Sequence, residues 1–164
     1  MIETALLCLS LNMYFEARSE SIAGQLAVAE VTLNRVSSPH YPNTICGVVL
    51  QDNSRGCQFS WWCDGRSDLP TEHHAFQKSK ALAKLMLNDG EYISVVGDQV
   101  MHYHSQSVSP YWIEDFVESK QIGKHIFYEK KKKFPLSRPD KIICEQNPKY
   151  VYAMDTCIQY EKGV

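Results

Sequence analysis

The chain of 164 residues is 44% hydrophobic and 22% charged, with nine Tyr, six Phe and three Trp, which is enough apolar mass for one domain with its own core. This composition excludes an intrinsically disordered chain, and no run reaches the roughly 18 apolar residues of a membrane-spanning helix. The net charge of −2 is unevenly spread: residues 1–128 hold nine Lys/Arg against fourteen Asp/Glu, whereas residues 129–164 hold eight against five, so a basic extension is expected to follow an acidic body.

The first predicted element is a helix in which Ile2, Leu6, Leu9 and Met13 mark one face at helical spacing. Leu7, Cys8 and Leu11 make its other side apolar, so it is expected to be central and largely buried. It has no basic start and no small-residue cleavage site, and it runs on into charged residues, so it reads as mature structure and not as a signal peptide. A second helix is expected over residues 22–36, with Ile22, Leu26, Ala29, Leu33 and Val36 at the same spacing, ending at the breakers Ser37-Ser38-Pro39. Residues 37–71 are rich in Pro, Gly, Asn, Asp and Ser and predict a long loop region with short elements at most.

A third helix is predicted over residues 72–87, with a C-cap at Asn88-Asp89-Gly90. Residues 92–96, a Gly97-Asp98 turn and residues 99–104 then read as a β-hairpin. Ser109 before Pro110 predicts a short helix over residues 111–118. After Tyr128 the composition changes to the run Lys130–Lys133. The expected architecture is α+β, predominantly helical, with a small hairpin: a body over 1–128 and an extension over 129–164.

Cysteines stand at 8, 46, 57, 63, 144 and 157 without a CxxC pair, so no structural zinc site is expected. Cys8 reads as a buried free thiol. Cys46, Cys57 and Cys63 lie where one disulfide could form in an oxidising compartment, and Cys144 and Cys157 could tie the extension to itself or to the body.

Extending the stripe of the first helix reaches Glu16 and then Glu20, so Glu16 is expected at the rim of the core, partly desolvated. Burial disfavours the ionised carboxyl and raises its pKa, which suits a general acid. The bland alternative is a solvated helix end paired with Arg18 or Arg35. Aromatics gather in loops and element ends, at Phe59, Trp61, Trp62, Tyr103, Tyr111, Trp112, Phe127 and Tyr128, a composition that suits sugar rings. His102 and His104 share a strand face, yet without HExxH or a third placed ligand they imply no metal.

Tyr14-Phe15-Glu16-Ala17-Arg18-Ser19-Glu20, Gly24 through Val31, Leu33-Asn34-Arg35-Val36, Pro42 through Val49, Cys57 through Trp61, Met101 through His104, Val108 through Trp112 and Ile122 through Tyr128 together resemble the SleB-like cell-wall hydrolases. The resemblance covers about residues 5–128 and implies a lysozyme-like, lytic-transglycosylase-like domain that cuts the bond between N-acetylmuramic acid and N-acetylglucosamine in peptidoglycan. It marks Glu16 as the catalytic acid, with Ser60, Trp61, Tyr103, His104 and Tyr128 as substrate-binding candidates and Glu20 and His125 as auxiliary ones. No metal and no cofactor is expected. The chain departs from the family pattern at Ser19, where Gly is usual, and at Ser21, where Pro is common.

A catalytic domain without a leader or a wall-binding domain looks like a phage or prophage endolysin, made in the host cytoplasm and acting on the wall as an antimicrobial lysis enzyme. Its partner is expected to be the peptidoglycan glycan strand, with no nucleic acid, a monomeric state, and a basic tail touching the anionic envelope. The alternatives are a lysozyme-type muramidase or glucosaminidase using Glu20 or Asp64, a Cys/His amidase or peptidase built on Cys57 or Cys63 with His104 or His125, and a non-catalytic wall-binding module.

Overall fold

The computed structural model describes residues 2–53, 56–88, 93–131, 150–153 and 156–159. The expected cap residues Asp89 and Gly90, and Tyr92, Lys132, Lys133 and Cys144, lie outside them, as does the side chain of Cys157. The chain divides into two compact units, Met1–Lys130 and Lys131–Val164.

The first unit opens with α1 (Ile2–Ala17) and α2 (Ile22–Ser37). Cys8, Leu9, Met13, Tyr14 and Ala17 of α1 are buried, but Leu7 is half exposed, so the helix is less enclosed than its composition suggests. Ser21, at the position where the family pattern has Pro, caps α2 by accepting the Gly24 N–H at 3.2 Å. The loop-rich stretch holds α3 (Ile45–Val49), the two-residue strands β1 (Asp52–Asn53) and β2 (Gly56–Cys57), and a 3₁₀ turn over Ser60–Trp62. Then α4 (His73–Met86) packs on α1 through Leu9, Met13 and Ala83.

The sheet differs from the expected hairpin. Strand β3 (Val100–Ser105) pairs with β5 (His125–Lys130), which pairs with β4 (Phe116–Ile122), all antiparallel in the order β3-β5-β4. Residues 93–99 form no strand because the buried Glu30 of α2 takes their donors. Its carboxylate accepts Ser94 Oγ at 2.7 Å and the backbone N–H groups of Val95 at 2.6 Å, Val96 at 2.8 Å and Gly97 at 3.1 Å. Such groups are then unavailable to a ladder. The predicted helix over 111–118 is also shorter, a 3₁₀ turn over Tyr111–Asp115. Phe116 and Val117 favour extended backbone, and Gly123, at φ +57°, turns the chain so that β4 and β5 pair.

In the second unit, β6 (Tyr150–Ala153) pairs antiparallel with β7 (Thr156–Gln159).

Cys8 is not a free thiol. It is bonded to Cys46, tying α1 to α3, and Cys57 is bonded to Cys63. Helical periodicity places Cys8 inside but cannot reveal that α3 brings a second sulfur beside it.

Candidate active site

Helix α2 positions the sheet edge residue by residue. Four residues after Glu30, the Nδ2 of Asn34 donates to Gly97 O at 2.8 Å and Val100 O at 2.9 Å; one residue further, Arg35 Nε donates to Met101 O at 2.8 Å. These contacts suspend β3 from α2, and Tyr103, two residues after Met101, points back to α1. Its phenol donates to Glu16 Oε2 at 2.9 Å.

Glu16 lines two cavities. The first, of about 260 Å³, is formed with Arg35, Cys57, Gln58, Phe59, Ser60, His102, Tyr103 and Trp112. The second, of about 340 Å³, is formed with Phe15, Arg18, Ser60, Trp61, Asp64, Arg66 and Ser67. Glu16 and Ser60 belong to both, so they stand where the cavities adjoin.

Burial raises the Glu16 pKa above the ordinary glutamate range, against the opposing pull of the Tyr103 hydrogen bond and the Arg35 charge. Burial, reinforced by the Glu16 charge, holds the Tyr103 pKa well above its ordinary value, so the phenol stays a donor. Arg35 is buried and flanked by the rings of Tyr41 and Phe59, with Nη1 lacking a hydrogen-bond partner among the described residues. His102 titrates at about 4, held down by burial and then by Arg35 and Lys130, so it is neutral at physiological pH.

The structure brings together Glu16, Ser60, Trp61 and Tyr103 among the candidates. Ser60 is exposed at the shared rim. Trp61 is 7% exposed and mostly structural, stacked on Phe15 at 4.7 Å and donating Nε1–H to Asn12 Oδ1 at 3.0 Å. His104 and Tyr128 line neither cavity. His104 Nδ1–H donates to Ser105 O at 2.8 Å, so Nε2 accepts the Tyr128 hydroxyl at 3.0 Å, on the sheet face that carries Trp112 and Phe116. Glu20 faces the β4–β5 turn, where Oε2 accepts the Lys124 N–H at 3.3 Å, and His125 packs edge-on against Tyr103 at 5.2 Å.

Arg18, one of the two partners that a solvated helix end offered Glu16, instead binds Glu72 through Nε at 2.6 Å. The thiols that a Cys/His nucleophile needs are consumed in the Cys57–Cys63 disulfide.

Sequence reading assigned no role to Asn12, Glu30 or Asn34. Their signal is a polar residue inside an otherwise apolar helical stretch, as in the run Ala27-Val28-Ala29-Glu30-Val31.

A lysozyme-like α+β domain with one half-buried acid between two cavities defines the class. Residues 19–128 match the family model described as Cell Wall Hydrolase, and the chain belongs to that family. The matched segment begins three residues after Glu16.

The spore cortex-lytic enzyme of Bacillus cereus is 32% identical over 115 residues, which is 70% of this chain and 40% of that protein. The chain thus spans about two-fifths of the length of this curated relative. Among solved structures, the catalytic domain of the Bacillus cereus SleB protein is 29% identical, with a TM-score of 0.56, covering 77% of this chain and 91% of that domain. The catalytic domain of the germination-specific lytic transglycosylase SleB from Bacillus anthracis is 30% identical, with a TM-score of 0.60, covering 77% of this chain and 95% of that domain.

Proposed function

We propose that the protein is a peptidoglycan lytic transglycosylase in which Glu16 is the sole acid and base, and that it cuts the bond between N-acetylmuramic acid and N-acetylglucosamine. The observation that carries this reading is the position of Glu16 at the junction of two cavities, with one oxygen held by Tyr103. A glycan lying through both presents its bridging oxygen to the acid.

The raised pKa favours the protonated form of Glu16, and Tyr103 occupies Oε2, so the proton resides on Oε1. Glu16 gives it to the glycosidic oxygen as the bond to C1 breaks. The resulting carboxylate then takes the proton of the muramic 6-hydroxyl as that oxygen closes on C1. The product is a 1,6-anhydro end, no water is consumed, and Glu16 returns to its acid form. A single carboxyl suffices for this sequence, unlike two-carboxylate hydrolysis.

One observation favours a second reading. Asp64 lines the 340 Å³ cavity with Glu16, and a second carboxylate there could activate water as in a lysozyme-type hydrolase. Against it, Asp64 is exposed and its Oδ1 accepts the Arg66 N–H at 2.9 Å, an arrangement suited to holding a loop. Digestion of purified peptidoglycan in ¹⁸O-water separates the two. Anhydro ends without label support the transglycosylase, whereas reducing ends carrying ¹⁸O, lost in Asp64→Asn, establish the hydrolase.

We place its action at the cell envelope and its use in lysis of a bacterial host, a reading that the two disulfides support because such bonds persist outside the reducing cytoplasm. The basic extension adds attraction to an anionic wall. Clearing of wall suspensions, and lysis of cells expressing the protein only when a membrane-permeabilising partner is present, test this use.

A further inference from the structure

The Cys57–Cys63 bond closes a loop of the active site. Between its two cysteines lie Gln58, Phe59 and Ser60, all lining the cavity beside Glu16, and Cys57 lines that cavity itself. On one side the loop is pinned by Trp61, which stacks on Phe15 and bonds to Asn12; on the other, by Gln58 N–H donating to Gln51 O at 2.8 Å. Ser60 is exposed, and its carbonyl accepts the Cys63 N–H at 3.0 Å within the loop itself. The disulfide therefore constrains the exposed part of the cavity wall, and its loss leaves the core contacts of Trp61 in place.

The two disulfides differ in access. Cys8 is buried, so the Cys8–Cys46 bond is shielded on one side. Cys63 is exposed and Cys57 half-buried, which opens the second bond to thiol exchange. Exposed disulfides are the ones small thiols reach, and the bacterial cytoplasm keeps such pairs reduced.

We propose that the Cys57–Cys63 pair is a redox gate on the glycan cleft, holding the enzyme in a weakly active dithiol form inside the cell and switching it on when it meets a disulfide oxidant outside. This rests on the transglycosylase reading of the same site. Gate closure balances as thiol–disulfide exchange: the Cys63 thiolate attacks a small-molecule disulfide, RSSR, and expels RS⁻. The Cys57 thiolate then attacks the mixed disulfide at the Cys63 sulfur and expels a second RS⁻, so the two cysteine thiols are oxidised and RSSR is reduced to two RSH.

The test uses the full chain, oxidised and then reduced in graded dithiothreitol, with free thiols assigned by alkylation and mass spectrometry. Opening of the Cys57–Cys63 bond should lower the release of soluble glycan about tenfold or more, because misplacing a wall of the cleft by an ångström is costly. Far-ultraviolet circular dichroism should stay native, and glutathione disulfide should restore the rate. The double variant Cys57→Ser with Cys63→Ser should be slow and indifferent to dithiothreitol, whereas Cys8→Ser with Cys46→Ser should keep the response.

Unchanged turnover after both thiols are freed, or wild-type turnover in the Cys57→Ser/Cys63→Ser protein, overturns the gate. Hydrogen exchange at Gln58, Phe59 and Ser60 reads the gate without catalysis. If the oxidised protein releases no glycan at all, the transglycosylase reading fails, while faster exchange at these three amides on reduction still supports the gate and unchanged exchange overturns it.

Discussion

Tyr103 and Glu16, 87 residues apart in the chain, meet through a 2.9 Å hydrogen bond that joins the edge strand of the sheet to the first helix. The phenol fixes the orientation of the carboxyl and assigns its two oxygens different tasks. It also favours the ionised form, opposing the burial that favours the protonated one. Desolvation prevails, and the balance between these influences sets the pH range of activity.

Replacing Glu16 by Gln should lower glycan release by about a thousandfold or more, since the proposed proton donor and acceptor is lost. The fold should survive. Because the folded-state pKa of Glu16 is raised, its contribution to stability is complete below the ordinary glutamate value and is lost as pH rises through the folded pKa. Chemical denaturation should therefore show the variant gaining on the wild type from acidic to alkaline pH. An equal gap at both would contradict the desolvated carboxyl.

Activity that depends on protonated Glu16 should fall on the alkaline side of its pH profile. Tyr103→Phe removes a donor that lowers the Glu16 pKa, so this alkaline limb should move to higher pH, with a loss of about tenfold in kcat/KM from the missing hydrogen bond. A limb that stays in place, or moves down, would show that the phenol does not act on this proton.

Glu30→Gln should destabilise the protein by about 3 kcal/mol, because an amide nitrogen replaces one of two oxygens that both accept hydrogen bonds from buried donors. Urea unfolding measures it as a lower midpoint with an unchanged slope.

Gly123 has φ +57°, and a Cβ there would collide with Glu20 Oε2. Gly123→Ala should cost about 1–2 kcal/mol in unfolding experiments. Turnover below the melting range should change by less than about twofold, since the turn lies away from the cavities. A large loss of turnover in a folded variant would restore Glu20 to the site.

The helices were legible because their apolar positions recur at helical spacing, and Glu16 was legible because it continues the buried stripe of α1. The sheet was misread where tertiary contacts override local pattern. Tyr92 through Val96 has the composition of a strand, but the deciding group is a carboxylate more than 60 residues earlier, Glu30, which no local window contains. Phe116 through Glu118 reads as the end of a helix because the partner of this strand, β5, follows a turn that only Gly123 signals.

The site was partly legible for the same reason. Tyr103 alternates with His102 and His104 along β3, and spacing alone could not say which face meets Glu16. The structure turns Tyr103 to α1 and spends His104 on Tyr128. The Cys8–Cys46 pairing depends on where α3 returns to α1, a long-range fact without a periodic trace.

Because the Glu30 carboxylate grips residues 94–97 directly, the register of β3 is set downstream of the connection that leaves α4. Tyr103 is thereby insulated from the length of that connection, and insertions or deletions between Asn88 and Ile93 become a route by which homologues can diverge in size without retuning their acid. A Gly-Ser insertion after Gly90 should leave turnover within about twofold of the parent, because the grip of Glu30 on residues 94–97 lies beyond it.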